Sequence, residues 1–364
     1  MALPVPDLTL VVPDLLRDAV VSLPSLERLL ARSDLIAGGL VAPHLDALLF
    51  RLFGVDSSPS EDSLPIAAVS HALDSNDPAP AGWWIRADPV YLHLDRNRLV
   101  LFDHRVLKLS YDDAMRLTAE ISNGIQPPPW LRSEPEGTIP PDFCVKAPYP
   151  TRWYLPLSGP ASIQTSKLAM VHGQDIRHHL PKGEQAKVWR MWLNECQILL
   201  HHSSVNAERE ARGDLPVNSL WFWGEGETPT VPPGIFSQVW SNDPVTLGLA
   251  HLSNTPHTAM PRSADHWLAK VEREGNHLVV LEDLRDLSNI ETAEPSEISA
   301  DRRDALNRLE REWFAPLQQA LRTGTLASLT LYPDPALPRR ITGQLLRRYW
   351  WRRNRSLATY IINA

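Results

Sequence analysis

Apolar residues at Trp189, Trp192, Leu193, Cys196, Leu199 and Leu200 recur every three or four positions, the spacing that lines one face of a helix. The stripe predicts a helix that starts near Val188 and runs out at His201 and His202. Val205-Asn206-Ala207-Glu208-Arg209 then brings an amide, a guanidinium and further charge into a short connection ending at Gly213. Bulky residues fill positions 217–223, which predicts a central strand covered on both faces, and Gly224-Glu225-Gly226 turns the chain after it. Ligands of open α/β sheets collect at the carboxyl ends of strands, so the polar residues around this strand are the first place to look for a site.

Elsewhere, residues 8–12 suit a buried strand, and 23–30 and 46–53 carry helical spacing. Residues 56–80 are rich in Ser, Asp and Pro, which predicts a loop with a short apolar insert at Ile66-Ala67-Ala68-Val69. From Trp83 the pattern turns β-like, with strands at 83–86, 90–94 and, after Asp95-Arg96-Asn97, 98–102. Residues 111–121 read as a helix with acidic residues in its first turn, and 126–150 as an irregular, proline-laden stretch. Residues 247–261 have no clean period. Beyond them, 264–274 reads as a helix, 277–281 as a buried strand, 299–322 as a long helix ended by Gly324, and 326–332 as another strand. Strands alternating with helices over the whole length predict an α/β fold.

The 364 residues have room for one large or two smaller domains. A hydrophobic content of 43% and a charged content of 22% are those of a soluble globular protein, and the net charge of −7 argues against nonspecific nucleic-acid binding by the chain as a whole. Cys144 and Cys196 are too few for a disulfide scaffold and lack zinc-site spacing. With Asp7 and Asp14 where a basic leader would lie, and no apolar run of bilayer length, a cytoplasmic location is expected.

After Asp334 the chain has no acidic residue, yet it carries Arg339, Arg340, Arg347, Arg348, Arg352, Arg353 and Arg355 among Tyr349, Trp350 and Trp351. Two readings of this end stay open. Arg347, Arg348, Arg352 and Arg355 form a helix face that meets a macromolecular partner, or the aromatic residues pack on the core while the arginines meet the chain's own acidic surface.

Three stretches resemble a known family: Leu52-Phe53-Gly54-Val55-Asp56, Trp84-Ile85-Arg86-Ala87-Asp88-Pro89-Val90, and Val205-Asn206-Ala207-Glu208-Arg209 continuing to Asn218-Ser219-Leu220-Trp221-Phe222-Trp223-Gly224-Glu225-Gly226. They look like the archaeal-type cofactor-independent phosphoglycerate mutases of the alkaline phosphatase superfamily, and more closely like the RpfE-type regulatory protein family. The resemblance extends to about Pro233. It implies an alkaline-phosphatase-like α/β core of 1–82 and 176–364, flanked by helices, with a smaller α+β domain inserted at 83–175.

In that superfamily a Ser or Thr nucleophile attacks phosphorus while two divalent metals, held by Asp and His, activate it. The resemblance puts Leu45 where the nucleophilic Ser belongs, and Asp14 where the first metal-binding Asp is expected, followed by Leu15 in place of a glycine. No histidine follows His277, and Ser203-Ser204 replace a His-Pro pair. No catalytic residue, metal ligand or cofactor is therefore assigned. Arg86, Asn206 and Arg209 match positions near the family's substrate, and Arg212 lies close by; together they imply a site for a small phosphorylated or carboxylated anion in a cleft between the core and the smaller domain.

Other polar groups have plainer readings. His172, His178, His179, His201 and His202 have a metal ligand's chemistry, but neighbours in sequence point to different sides of a helix. Asp265-His266 falls inside a predicted helix, and Glu282, Asp283 and Asp286 suit either acidic ligands after a strand or a solvated helix start. The function expected is a catalytically inactive, regulatory relative of the mutases that binds a small anion. Two alternatives are an active phosphomutase or phosphatase using a divalent metal in an altered site, and an interaction protein working through its Arg/Trp-rich C-terminus.

Overall fold

The computed structural model describes residues 5–17, 21–36, 44–55, 64–75, 81–125, 143–271, 274–285, 299–334 and 336–361. The chain divides into two compact units, residues 1–56 with 231–364, and residues 57–230.

The first unit is built on a seven-stranded sheet of β1 (Asp7–Val12), β2 (Asp34–Leu35), β8 (Gln238–Trp240), β9 (His257–Thr258), β10 (Asn276–Val280), β11 (Ser328–Pro333) and β12 (Arg339–Thr342). Their order is β2-β12-β11-β1-β10-β8-β9. β1 runs parallel to both β10 and β11, β10 to β8, and β8 to β9, while β12 returns antiparallel against β11. Leu8, Leu10, Val11 and Val12 are all buried, as a strand in a parallel sheet covered on both faces requires. Leu10 and Val12 share a core with Trp267, Trp313, Phe314 and Leu329.

The second unit holds β3 (Trp83–Asp95), β4 (Arg98–Phe102), β5 (Lys146–Tyr149), β6 (Arg152–Leu157) and β7 (Ser219–Glu227). Its sheet order is β4-β3-β6-β5, with β7 antiparallel on β3. Trp189, Trp192, Cys196, Leu220 and Phe222 lie in one core cluster, Trp221 in another with Val90 and Leu101.

The α/β architecture is what the alternation of elements predicts, and a core sheet with a smaller α+β unit inserted into its chain is what the family resemblance implies. The bounds of the inserted unit differ from 83–175, because the helix Ile66–Ser75 packs on β3 and β7, and the helix Ala186–His201 packs on β7. The strand expected at the centre of the parallel sheet is therefore β7, covered on both faces as its residues require but paired antiparallel in the other unit. Residues 66–75, expected as a loop insert, form a helix. So do 204–211, where Ser203 caps the N-terminus by accepting from the Asn206 N–H, and 244–252, where Asp243 caps and Pro244 takes a first-turn position.

The helix Gly343–Arg348 stops too early to carry Arg352 and Arg355 on one face with Arg347. Trp350 and Trp351 are 74% and 63% exposed, so they do not pack on the core either. Among the described residues no helix is long and apolar enough to cross a membrane, and Cys144 and Cys196 are both free thiols. Asp56, Asp286 and positions 126–142 of the proline-laden stretch lie outside the described residues.

Candidate functional site

The carboxyl ends of β1, β11, β8 and β10 gather the polar residues of the first unit. Beyond β8, Asp243 accepts at Oδ2 from the Thr246 N–H at 2.7 Å and the Thr246 hydroxyl at 2.8 Å, which fixes the start of the helix Pro244–Leu252. Its other oxygen takes Arg285 Nη1 at 3.2 Å. Arg285 Nη2 lies 3.6 Å from Oδ1 of the buried Asp46, and the Ser241 hydroxyl donates to Glu282 at 3.3 Å. Burial opposes the charged form of Arg285, but Asp46, Asp243 and Glu282 outweigh it and hold its pKa above the ordinary guanidinium value. Asp46 follows Leu45, the half-exposed first residue of the helix Leu45–Leu52, and His44 caps that helix through Nδ1.

A second acidic pair lies beyond β1 and β11. The Asp14 N–H donates to Asp334 Oδ2 at 3.2 Å, and Arg17 pairs with Asp14 at 3.4 Å. Burial, followed by the nearby charge of Asp14, raises the Asp334 carboxyl above its usual range although it accepts that N–H. Arg302 donates to the Asp14 carbonyl at 2.5 Å and the Arg17 carbonyl at 2.8 Å, holding this turn in place.

These residues do not fit a pair of divalent metals. Asp243 already spends one oxygen on its helix and the other on a guanidinium, and a dication among Asp46, Asp243 and Glu282 would face the fixed positive charge of Arg285. Among the described residues no three His, Cys, Asp or Glu side chains form a metal-sized group. Glu282 faces Ser241 and Arg285, Asp283 pairs with Arg308 at 3.6 Å, and Asp265-His266 lies in the helix Ala264–Lys270.

The four residues expected to hold an anion separate into two places in the second unit. Arg209 is fully buried: Nε donates to the Leu215 carbonyl at 3.0 Å, Nη1 to Asp113 at 2.8 Å, and Nη2 to the Leu107 carbonyl at 2.7 Å and the Leu215 carbonyl at 2.9 Å. Arg212 shares Asp113 at 2.9 Å from a half-exposed position. Asn206 donates to the Leu200 and Val217 carbonyls and accepts the Val217 N–H, which ties its helix to the chain entering β7. Arg86 stands apart, paired with Asp88 through Nε and Nη2 and lying over the rings of Tyr154 and Trp223. Asp88 also accepts the Trp223 indole N–H at 2.7 Å and the Trp153 backbone N–H at 3.2 Å. Asn206, Arg209 and Arg86 are thus engaged as internal braces.

Asp113, Asp88 and Arg285 are the residues that sequence reading missed. One signal was available: residues i and i+2 of a strand share a face, so Arg-x-Asp in β3 brings Arg86 and Asp88 side by side.

No protein-family model matches the chain. A probable 2,3-bisphosphoglycerate-independent phosphoglycerate mutase of Geobacter sulfurreducens is 39% identical over 59 residues, which are 16% of this chain and 15% of that protein. The 2,3-bisphosphoglycerate-independent phosphoglycerate mutase of Methanothrix thermoacetophila is 34% identical over 62 residues, 17% of this chain and 16% of the relative. The chain thus matches only about 15% of the length of these relatives, and over that segment it is homologous to cofactor-independent phosphoglycerate mutases. The PH0037 protein from Pyrococcus horikoshii shares the fold, with a TM-score of 0.50 at 13% identity over 94% of this chain and 88% of that one.

Proposed function

We propose that this chain is a cytoplasmic, catalytically inactive relative of the cofactor-independent phosphoglycerate mutases, of the RpfE-type regulatory kind, acting by binding a small phosphorylated or carboxylated anion. The observation that carries the loss of turnover is Arg285, whose guanidinium lies with Asp243, Glu282 and Asp46, the residue that follows Leu45 in the chain. A protein-borne cation balances these carboxylates where phosphoryl transfer needs exchangeable dications, and a leucine side chain has no nucleophile to activate. The residues first expected to bind the anion are braced internally, so the reading no longer rests on Arg209 or Asn206.

The test is a pair of measurements. The purified chain should show no interconversion of phosphoglycerates with manganese above a mock purification, and manganese should leave its melting temperature unchanged. Arg285→Ala removes the balancing cation, so the variant should melt lower and regain stability with manganese, by about 2.7 kcal/mol at a hundred times its dissociation constant. Metal-dependent turnover by the unaltered chain would overturn the proposal.

A further inference from the structure

A pocket of about 570 Å³ opens in the first unit between the end of the helix Pro24–Ala31, β12 and the C-terminal segment. Its volume is that of a site for one small molecule. Arg339, Arg352, Arg353 and Arg355 line it, with Ser33 and Tyr360, and no carboxylate is among the lining residues.

Among the described residues none of the four arginines pairs with an acidic side chain. Arg339 donates from Nη1 to the Ser33 hydroxyl at 3.3 Å and lies over the Tyr360 ring, while its buried Nε has no hydrogen-bond partner. Arg352 lies over the Tyr349 ring at 3.5 Å, with Nη1 3.5 Å from the Ala31 carbonyl. Arg353 and Arg355 are exposed at the rim. Neighbouring charge adds to the field, since Arg28 and Arg322 act on Arg32, whose guanidinium holds the carbonyls of Tyr349 and Trp350. Among the charges acting on the lining Tyr360, those of Arg339, Arg355 and Arg352 oppose that of one acid, Glu27.

Holding like charges together costs free energy unless an anion offsets it. Planar guanidinium forks match the paired oxygens of a phosphate, and ring stacking holds the forks of Arg339 and Arg352 in fixed orientations before anything binds. We propose that this pocket is a binding site for a phosphate-bearing small anion carrying more than one negative charge. The inference supplies a place for the anion binding proposed above and rests on that reading for its role. It concerns residues remote in sequence from Arg285, so turnover or metal rescue tests one and phosphate binding the other.

Calorimetric titration of the full chain with pyrophosphate, and with sulfate as a control that has one tetrahedral centre and less charge than the two linked phosphates, tests the site. The expected result is saturable pyrophosphate binding, with sulfate at least tenfold weaker, and a rise in melting temperature. The double variant Arg353→Ala/Arg355→Ala alters exposed rim residues, so it should keep the melting temperature of the free chain and lose at least tenfold in affinity. Arg339→Lys, which keeps charge without the fork, should also weaken binding. A vesicle arm separates the sources of phosphate. Co-sedimentation with phosphatidylcholine vesicles carrying a phosphoinositide, competed by pyrophosphate, identifies a lipid headgroup as occupant, and pyrophosphate binding without vesicle binding identifies a soluble metabolite. Absence of saturable pyrophosphate binding, or binding unchanged in both variants, overturns the proposal.

Discussion

Arg209 shows how a residue suited by type to anion recognition is consumed by the fold. Its charge meets Asp113, and its remaining donors serve carbonyls of two separate segments. Without Arg209 the buried Asp113 keeps only the half-exposed Arg212, and the Leu107 and Leu215 carbonyls lose their guanidinium donor, so Arg209→Ala should cost about 3 kcal/mol in urea unfolding. A loss below about 1 kcal/mol would return Arg209 to the list of binding residues. Asp103 offers a test with acid. Burial alone would raise its carboxyl, but hydrogen bonds from Arg105 and the charges of His104 and Arg105 hold it below the usual range. A carboxylate lowered in the folded state contributes stability that is present above its unfolded pKa and lost as pH falls through the folded one. Asp103→Asn should therefore narrow the difference in urea midpoint between neutral pH and about pH 3, which lies below the ordinary Asp pKa of about 3.9, where the unfolded chain binds the proton that the folded carboxylate resists.

Elements here borrow their ends from one another. The helix Pro24–Ala31 has Leu23 at its N-cap, which offers no side-chain acceptor. Glu310 supplies one from a distant helix, accepting the Ser25 N–H at 2.5 Å and the Leu26 N–H at 3.2 Å, and its negative charge suits the positive end of the dipole. The long helix predicted over 299–322 forms with one irregularity, a π turn at Glu310–Phe314. Pro316 has no N–H to donate to the preceding turn, which favours a widened ladder there. Glu310→Ala should lower stability by about 1–2 kcal/mol through loss of the borrowed cap, and Glu310→Gln by less, because an amide oxygen still accepts one N–H. Thermal melts of the two variants check the order.

At the scale of the molecule, each unit has its own sheet and its own apolar clusters. At the C-terminal end of the second unit, the Thr228 N–H donates to the Gly82 carbonyl at 3.0 Å and ties that end to the start of β3. Residues 57–230 produced alone should therefore be soluble and unfold in one cooperative transition followed by tryptophan fluorescence and circular dichroism together. Non-coincident curves would show that the unit needs the rest of the chain. The sequence by itself determined the elements whose cause is local: apolar spacing placed the helix Ala186–His201, and a bulky run marked β7 as covered on both faces. It also marked Leu45 as unable to act as a nucleophile, because side-chain chemistry does not depend on folding. Only the tertiary structure decided which sheet β7 joins, since pairing is chosen among all available strands. Only it decided that Arg209 meets Asp113 across 96 positions and that Arg285 meets Asp46 and Asp243. Charges are balanced through space, and a guanidinium poised for a ligand has the same letter in the sequence as one already holding a carboxylate.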